Sequence, residues 1–310
     1  MVVPIATERG LRRGGGIGWL ALAGVTWGTS GTIGTLLRAA SGLPFLAVAG
    51  YRVFVGGLLI AAFLLVTRGV RLPRTRAGWG RIAAIAAASA AYQFGFFSAI
   101  GYVGVAVATL VAIGATPLMV IAVEALTGRQ RVTGRLALTL AVAGAGLILL
   151  VGTPAPTGAG LAGTLTGVGL ALVASASFAT ISLFGARPEP DYHDATGTAA
   201  AFLLGGAVVL AVAGLTGGLA FTPTPPAVGL VLALGLVPSA VAYLSYFRGL
   251  RTQSSTTGSL VSLLEPLTAT TLATVVLGER LTPSAAVGAG LLLSAVALTA
   301  TASRGGGRPA

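Results

Sequence analysis

Ten separate stretches of this chain run for roughly twenty residues with almost no charge, and that spacing governs what it can fold into. A helix needs about 20 apolar residues to cross a bilayer. The stretches lie near Gly16–Leu37, Pro44–Val66, Arg81–Gly101, Val105–Leu126 and Leu136–Val151, then Gly160–Gly185, Thr196–Leu215, Ala227–Phe247, Thr257–Leu277 and Pro283–Ser303. Short segments of period-two alternation, the mark of a membrane β-barrel, do not occur. The connections are short and rich in Gly, Pro and Thr, as in Thr153-Pro154-Ala155-Pro156-Thr157, and leave no room for a soluble domain. The expectation is an all-α, polytopic membrane protein with ten transmembrane helices.

Composition agrees. Only 8% of the 310 residues are charged and 55% are hydrophobic, against about 25% charge in a soluble domain. Cysteine is absent, which removes disulfides, Cys-ligated zinc and Cys nucleophiles. The net charge is +12, and all 19 basic residues are arginine. In a soluble chain that surplus would suggest nucleic acid; in an apolar one it reports orientation. With the N-terminus inside, sixteen arginines from Arg9 to Arg308 fall on the inner side. Arg38 and Arg280 fall outside, and Arg52 lies within the second span. The alternation of Arg-rich and Arg-poor loops supports ten spans with both termini cytoplasmic, and no nucleic-acid partner. The pair Arg12-Arg13 precedes an apolar run too long for a signal peptide, so this run reads as an uncleaved first helix. The chain has neither Lys nor Asn and is rich in Ala, Gly and Arg, a composition of GC-rich bacterial genomes. The expected location is therefore a bacterial inner (plasma) membrane.

A faint repeat recurs at about 150 residues. Leu20-Ala21-Leu22 returns as Leu170-Ala171-Leu172, Phe97 as Phe247, Leu110-Val111 as Leu260-Val261, and Gly128 as Gly278. Each half then holds five helices. Five is odd, so the second half enters the membrane upside down, a recurring plan of secondary transporters whose substrate site lies at the midplane. The expected organisation is a tail over 1–15, a first five-helix repeat over 16–152, an outer linker over 153–159, a second repeat over 160–303 and a tail over 304–310.

Several motifs resemble EamA-type members of the drug/metabolite transporter superfamily. These are Trp27-Gly28-Thr29-Ser30 in the first helix, Tyr51-Arg52 in the second, Leu263-Leu264-Glu265-Pro266-Leu267 in the ninth, and the following Leu277-Gly278-Glu279-Arg280-Leu281-Thr282. The resemblance extends from about Ile17 to Ala302. The first half departs from it at the equivalent junction: Thr116 stands before Pro117, and Arg129 follows Gly128. The resemblance implies two inverted five-helix repeats, a central cavity lined by helices 1, 3, 4, 6, 8 and 9, and movement of small metabolites, without specifying which.

Few residues can carry chemistry inside the membrane. Glu265 lies about nine residues into the ninth span, where a carboxylate is costly and is expected to pair, line water or carry a proton. Pro266 beside it removes a backbone donor and leaves the Ser262 carbonyl without its helical partner. A kinked helix with an acid at the break suits a substrate or proton site; bonding to a neighbouring helix is the structural alternative. Arg52 can bind an anionic group, pair with an acid such as Glu265, or snorkel outward. Trp27, Tyr92, Gln93 and Tyr243 are mid-span, and as a set they suit a cavity for a small amphipathic solute; helix packing is the plainer account of each alone. Glu124, near Arg129 and Arg131, reads as a surface ion pair. Gly28, Gly31 and Gly34 read as a stripe for close helix packing, and Trp19 and Trp79 as interfacial anchors.

Other patterns carry less. Gly158-Ala159-Gly160-Leu161-Ala162-Gly163 matches a dinucleotide fingerprint, but no strand precedes it and no acid follows about 20 residues on. His193, the sole histidine, sits with Glu189, Asp191 and Asp194 in a segment that reads as a solvated connector. Intramembrane serine or aspartyl proteolysis and metal hydrolysis all lack their residues. No enzyme activity, cofactor or metal is expected. The sequence points to a secondary transporter exporting an amino acid, metabolite or drug-like solute by alternating access, with a small-molecule substrate, the lipid bilayer and protons as partners. A pore is the alternative, since one mid-span acid per chain supplies a ring in an oligomer. The sequence does not fix the oligomeric state.

Overall fold

The computed structural model describes residues 6–67, 69–151, 160–276 and 282–305, and these are almost wholly helical. The linker motif Thr153–Thr157, Gly158 and Ala159 of the glycine pattern, and the Leu277–Leu281 part of the ninth-to-tenth junction lie outside them. The helices are α1 (Ala6–Ser41), α2 (Phe45–Thr67), α3 (Arg76–Val105), α4 (Val107–Leu126), α5 (Gly134–Val151), α6 (Gly160–Ala186), α7 (Asp194–Thr216), α8 (Pro225–Leu250), α9 (Ser255–Val276) and α10 (Pro283–Gly305). Among the described residues eight helices are long and apolar enough to cross a membrane, and Gly134–Leu150 is a shorter apolar one. With α1 they make the ten expected from the sequence. Helices are the only open-ended solution in lipid, because each backbone polar group must be paired within its own segment.

Local chemistry sets the ends. Thr75, Thr224 and Ser254 each precede a helix and accept from a backbone N–H three residues on, at 3.0, 3.4 and 3.1 Å, satisfying donors that a helix start leaves free. The α3–α4 reversal is the most economical. Helical hydrogen bonding runs almost unbroken past Gly104, whose φ of 75° and ψ of 166° turn the chain back. That region of backbone space is essentially open to glycine alone, so one residue replaces a loop.

Residue neighbours give the directions. Gly95 lies against Leu170 and Ala174, and Gly167 against Tyr102 and Val103, so α3 is antiparallel to α6. Thr116 on α4 meets Ser175 on α6 at 3.1 Å. The helix pairing is symmetric under exchange of each helix with the one five later. α1 packs on α8 and α9, as α6 packs on α3 and α4; α2 packs on α7, and α5 on α10. In its first half α1 passes Thr252 and Gln253 at Gly16, whereas α6 ends beside Arg81. The two repeats therefore run in opposite senses, as an odd number of spans requires.

The two faces differ in charge. On one, Arg81 is 4% exposed and donates to the carbonyls of Arg187 (2.7 Å) and Gly185 (3.3 Å). Its guanidinium stacks 4.2 Å from the Tyr192 ring and lies 3.8 Å from Asp194, which also pairs with Arg251. Asp191 accepts from the backbone N–H of Arg74. Tyr192 and Asp194 are thus tied into a charge cluster, while His193 and Asp191 beside them are exposed, as a solvated connector would be, and burial pushes the Tyr192 phenol up to about 12. On the opposite face are Arg38, whose guanidinium sits 3.6 Å over Phe45, and Tyr51, whose hydroxyl donates to Leu219. The first is the arginine-rich face and the second the arginine-poor face.

Candidate functional site

A cavity of about 300 Å³ lies between the two halves. Trp27 and Ser30 come from α1, Arg52 from α2, Tyr92 and Gln93 from α3, Ile113 from α4, Leu234 from α8 and Glu265 from α9. Its upper lining, Thr35, Phe45, Phe97 and Val105, belongs to the arginine-poor ends of these helices. Beneath it is a void of about 20 Å³ where Trp27, Arg52, Tyr92 and Glu265 meet Tyr243, Phe178 and Ser262. The six residues singled out in the sequence as substrate or coupling groups therefore border these two adjoining cavities, Gln93 the larger and Tyr243 the smaller. The lining set differs from the implied one by including α2, because α2 packs against α7 with its Arg52 edge turned inward.

Toward the arginine-rich face an aromatic stack closes the region. Trp27 contacts Phe178, Tyr243 and Tyr246 with ring centroids 5.3, 5.1 and 5.0 Å apart. Phe202 meets Tyr243 edge-on at 4.6 Å. The Tyr246 hydroxyl donates to Ser182 at 2.7 Å, which satisfies the polar end of a fully buried ring.

Polar groups in the cavity are incompletely paired. Arg52 donates from one terminal nitrogen to the Ser30 hydroxyl at 2.8 Å. Its Nε and the indole Nε1 of Trp27 are buried without a partner. Each such orphan carries a desolvation cost of about 1–3 kcal/mol. Arg52 and Glu265 share the cavity, yet the ion pairs found among the described residues all involve Asp194.

The α9 break is real but differs in detail from the sequence expectation. The helix is interrupted at Ser262 and Leu263. The Ser262 carbonyl, denied its usual donor by Pro266, accepts instead from the Glu265 N–H at 2.9 Å. This tighter, 3₁₀-type turn aims the carboxyl into the cavity. The glycine stripe divides as well. A side chain on Gly28 would meet the Glu265 carbonyl and Thr268, so α1 and α9 pack there, whereas Gly31 has nothing nearby and faces the cavity. Glu124 is not a surface ion pair. It is 8% exposed and accepts from the hydroxyl of Thr256, 132 residues away. Trp19 and Trp79 are exposed at the arginine-rich end.

A profile of the EamA-like transporter family matches residues 14–152 and again 165–301. The chain belongs to that family. The two matches fall on the two five-helix halves. This EamA-like chain is 28% identical over 288 residues to an uncharacterized transporter, YwfM, of Bacillus subtilis (strain 168), covering 92% of this chain and 94% of that one. A solved crystal structure superposes on it with a TM-score of 0.75 over 93% of this chain and 97% of that one, at 21% identity, which shows a shared fold. The chain is therefore a multi-pass membrane protein of a transporter family, with a small-molecule substrate.

Proposed function

We propose that this protein is a secondary transporter that exports a small solute across a bacterial inner membrane by alternating access. Both termini lie in the cytoplasm, and residues 16–152 and 160–303 are the moving halves. The observation that carries the reading is a midplane cavity with one acid and one base, reaching the arginine-poor face and shut from the other by aromatic rings. A continuous pore has no need of such a one-sided closure. By the positive-inside rule the closed face is cytoplasmic.

Glu265 and Arg52 on opposing helices, with the Trp27 and Arg52 orphan donors between aromatic walls, favour an amino acid among small solutes. Its carboxylate would take Arg52 and Trp27, its ammonium Glu265, and its side chain Tyr92 and Tyr243, with Gln93 as a further polar contact. Proton binding at Glu265 competes with the ammonium and couples the two movements. The test uses proteoliposomes and labelled L-leucine and L-phenylalanine, with succinate as an acidic control. Wild type should show saturable counterflow and uptake driven by a pH gradient. Glu265→Gln should abolish the pH-driven component and retain amino-acid binding. Unchanged pH-driven uptake in Glu265→Gln rules out the coupling role, and conductive, unsaturating flux rules out the carrier.

A further inference from the structure

The two halves are inverted copies, so a contact that shuts one face has a counterpart about 150 residues away at the other. Toward the arginine-rich face α6 is sealed against α8 and α9. The Tyr246 hydroxyl donates to Ser182 at 2.7 Å, and the Ser255 hydroxyl to the Ser182 carbonyl at 3.4 Å. Near the end of α6, Gly185 lies so close to Phe247 and Leu250 that a side chain on it would strike both. The Phe247 ring thus rests on bare backbone, the close approach that small residues permit between membrane helices.

The counterparts toward the arginine-poor face stand apart. Tyr246 and Phe247 correspond to Phe96 and Phe97 of α3, Leu250 to Ile100, Ser255 to Val105 of α4, and Gly185 to Thr35 of α1. All five first-half residues line the cavity, on different walls. Gly31, a turn before Thr35, is exposed there, and a side chain added to it would meet nothing within 4 Å. At the rim Phe97 stacks on Phe45 of α2 at 5.9 Å and leaves the Gly31 wall bare.

We propose that Phe97, with Phe96 beside it, closes the arginine-poor face in the alternate state by seating on Gly31 and Thr35 of α1, while Phe247 leaves Gly185. The proposal rests on alternating access and supplies the closing contact that alternating access requires. Because the halves share one architecture in opposite senses, exchanging their conformations gives a state that faces the other way. The gap between α1 and α3 then passes to α6 and α8. Packed interfaces of this kind have discrete arrangements and do not deform continuously. The two closures differ in strength. Phe96 has no hydroxyl to match that of Tyr246, so only the arginine-rich closure holds this hydrogen bond. That difference favours the state open to the arginine-poor face.

The experiment needs no substrate. The chain has no cysteine, so Thr35→Cys with Ile100→Cys gives a clean pair that keeps both rings. In full-length protein in liposomes, a short bifunctional thiol reagent should cross-link this pair as the alternate state is visited. A separate reporter, Thr198→Cys on α7, is 1% exposed and is the counterpart of the cavity residue Val48. It should react with a membrane-impermeant maleimide from the arginine-rich face. Gly31→Leu, which the present state accommodates, should slow both reactions at least tenfold. Tyr246→Phe should speed both about threefold, the population shift of one average interhelical hydrogen bond; Ser182 keeps its bond to the Phe178 carbonyl at 2.8 Å. Labelling of Thr198→Cys with no cross-link above the single-cysteine chains overturns the seat and leaves alternating access standing. So does a Gly31→Leu rate equal to the parent rate. Cross-linking without labelling overturns the exchange, since both faces would then be shut. An unchanged rate in Tyr246→Phe overturns the bias. Neither reaction occurring refutes alternating access, and the seat with it.

Discussion

The fourth and ninth helices occupy equivalent places in the two halves, and each carries a proline near its middle, but they have become different objects. In α4 the helix continues through Pro117. Thr116 before it is 1% exposed and bonds to Ala112 and to Ser175 of α6. In α9 the helix breaks at Ser262 and Leu263, and the residue before the proline is Glu265, which borders the cavity. Symmetric architecture therefore does not entail symmetric chemistry. One copy of the motif joins helices, and the other offers an acid to the solute path.

The sharpest way to break this contrast is to give the first half the acid it lacks. Thr116→Glu places a carboxyl between α4 and α6, beside the Ser175 hydroxyl. It should destabilise the protein by about 2.5–3.5 kcal/mol, the cost of an acid at a helix centre in a membrane. Thermal unfolding in detergent measures it. Pairing it with Glu265→Gln should not restore pH-driven uptake, since the new acid lies away from the cavity. Recovery of uptake would mean that the two halves are interchangeable after all.

The turns preceding these helices differ in the same spirit. The α3–α4 reversal rests on Gly104 alone, whereas α8 reaches α9 through the segment Arg251–Ser254. Gly104→Ala should therefore cost about 1–3 kcal/mol through backbone strain. Gln253→Ala, with no positive φ to lose, should cost less. Equal losses would show that the Gly104 conformation carries no strain.

Which of these features the sequence discloses follows from how local their causes are. The ten spans, the two faces and the six cavity residues are legible, because crossing lipid demands long apolar runs and makes each polar residue within them conspicuous. The one-residue reversal at Gly104 leaves no such trace: a turn without a polar loop looks like more helix, and only a gap between two apolar runs marks it. The sequence misplaces Glu124 for a related reason. Arg129 and Arg131 are its neighbours along the chain, but Thr256, its actual partner, is supplied by the other half.

The smallest effect tests the packing side of the comparison. Thr116→Val keeps the shape of the side chain and removes its hydroxyl, which leaves the Ser175 hydroxyl without that contact. Interhelical hydrogen bonds in membranes average about 0.6 kcal/mol, because a loosened helix finds other partners. A loss near that value, with pH-driven uptake unaltered, is expected if Thr116 only joins α4 to α6. The Ser175→Ala variant should give a similar loss, and the double variant little more than either, since both remove the same bond. Additive losses would mean that each hydroxyl has a separate task. A fall in pH-driven uptake would place the first half's proline motif on the coupling path beside Glu265.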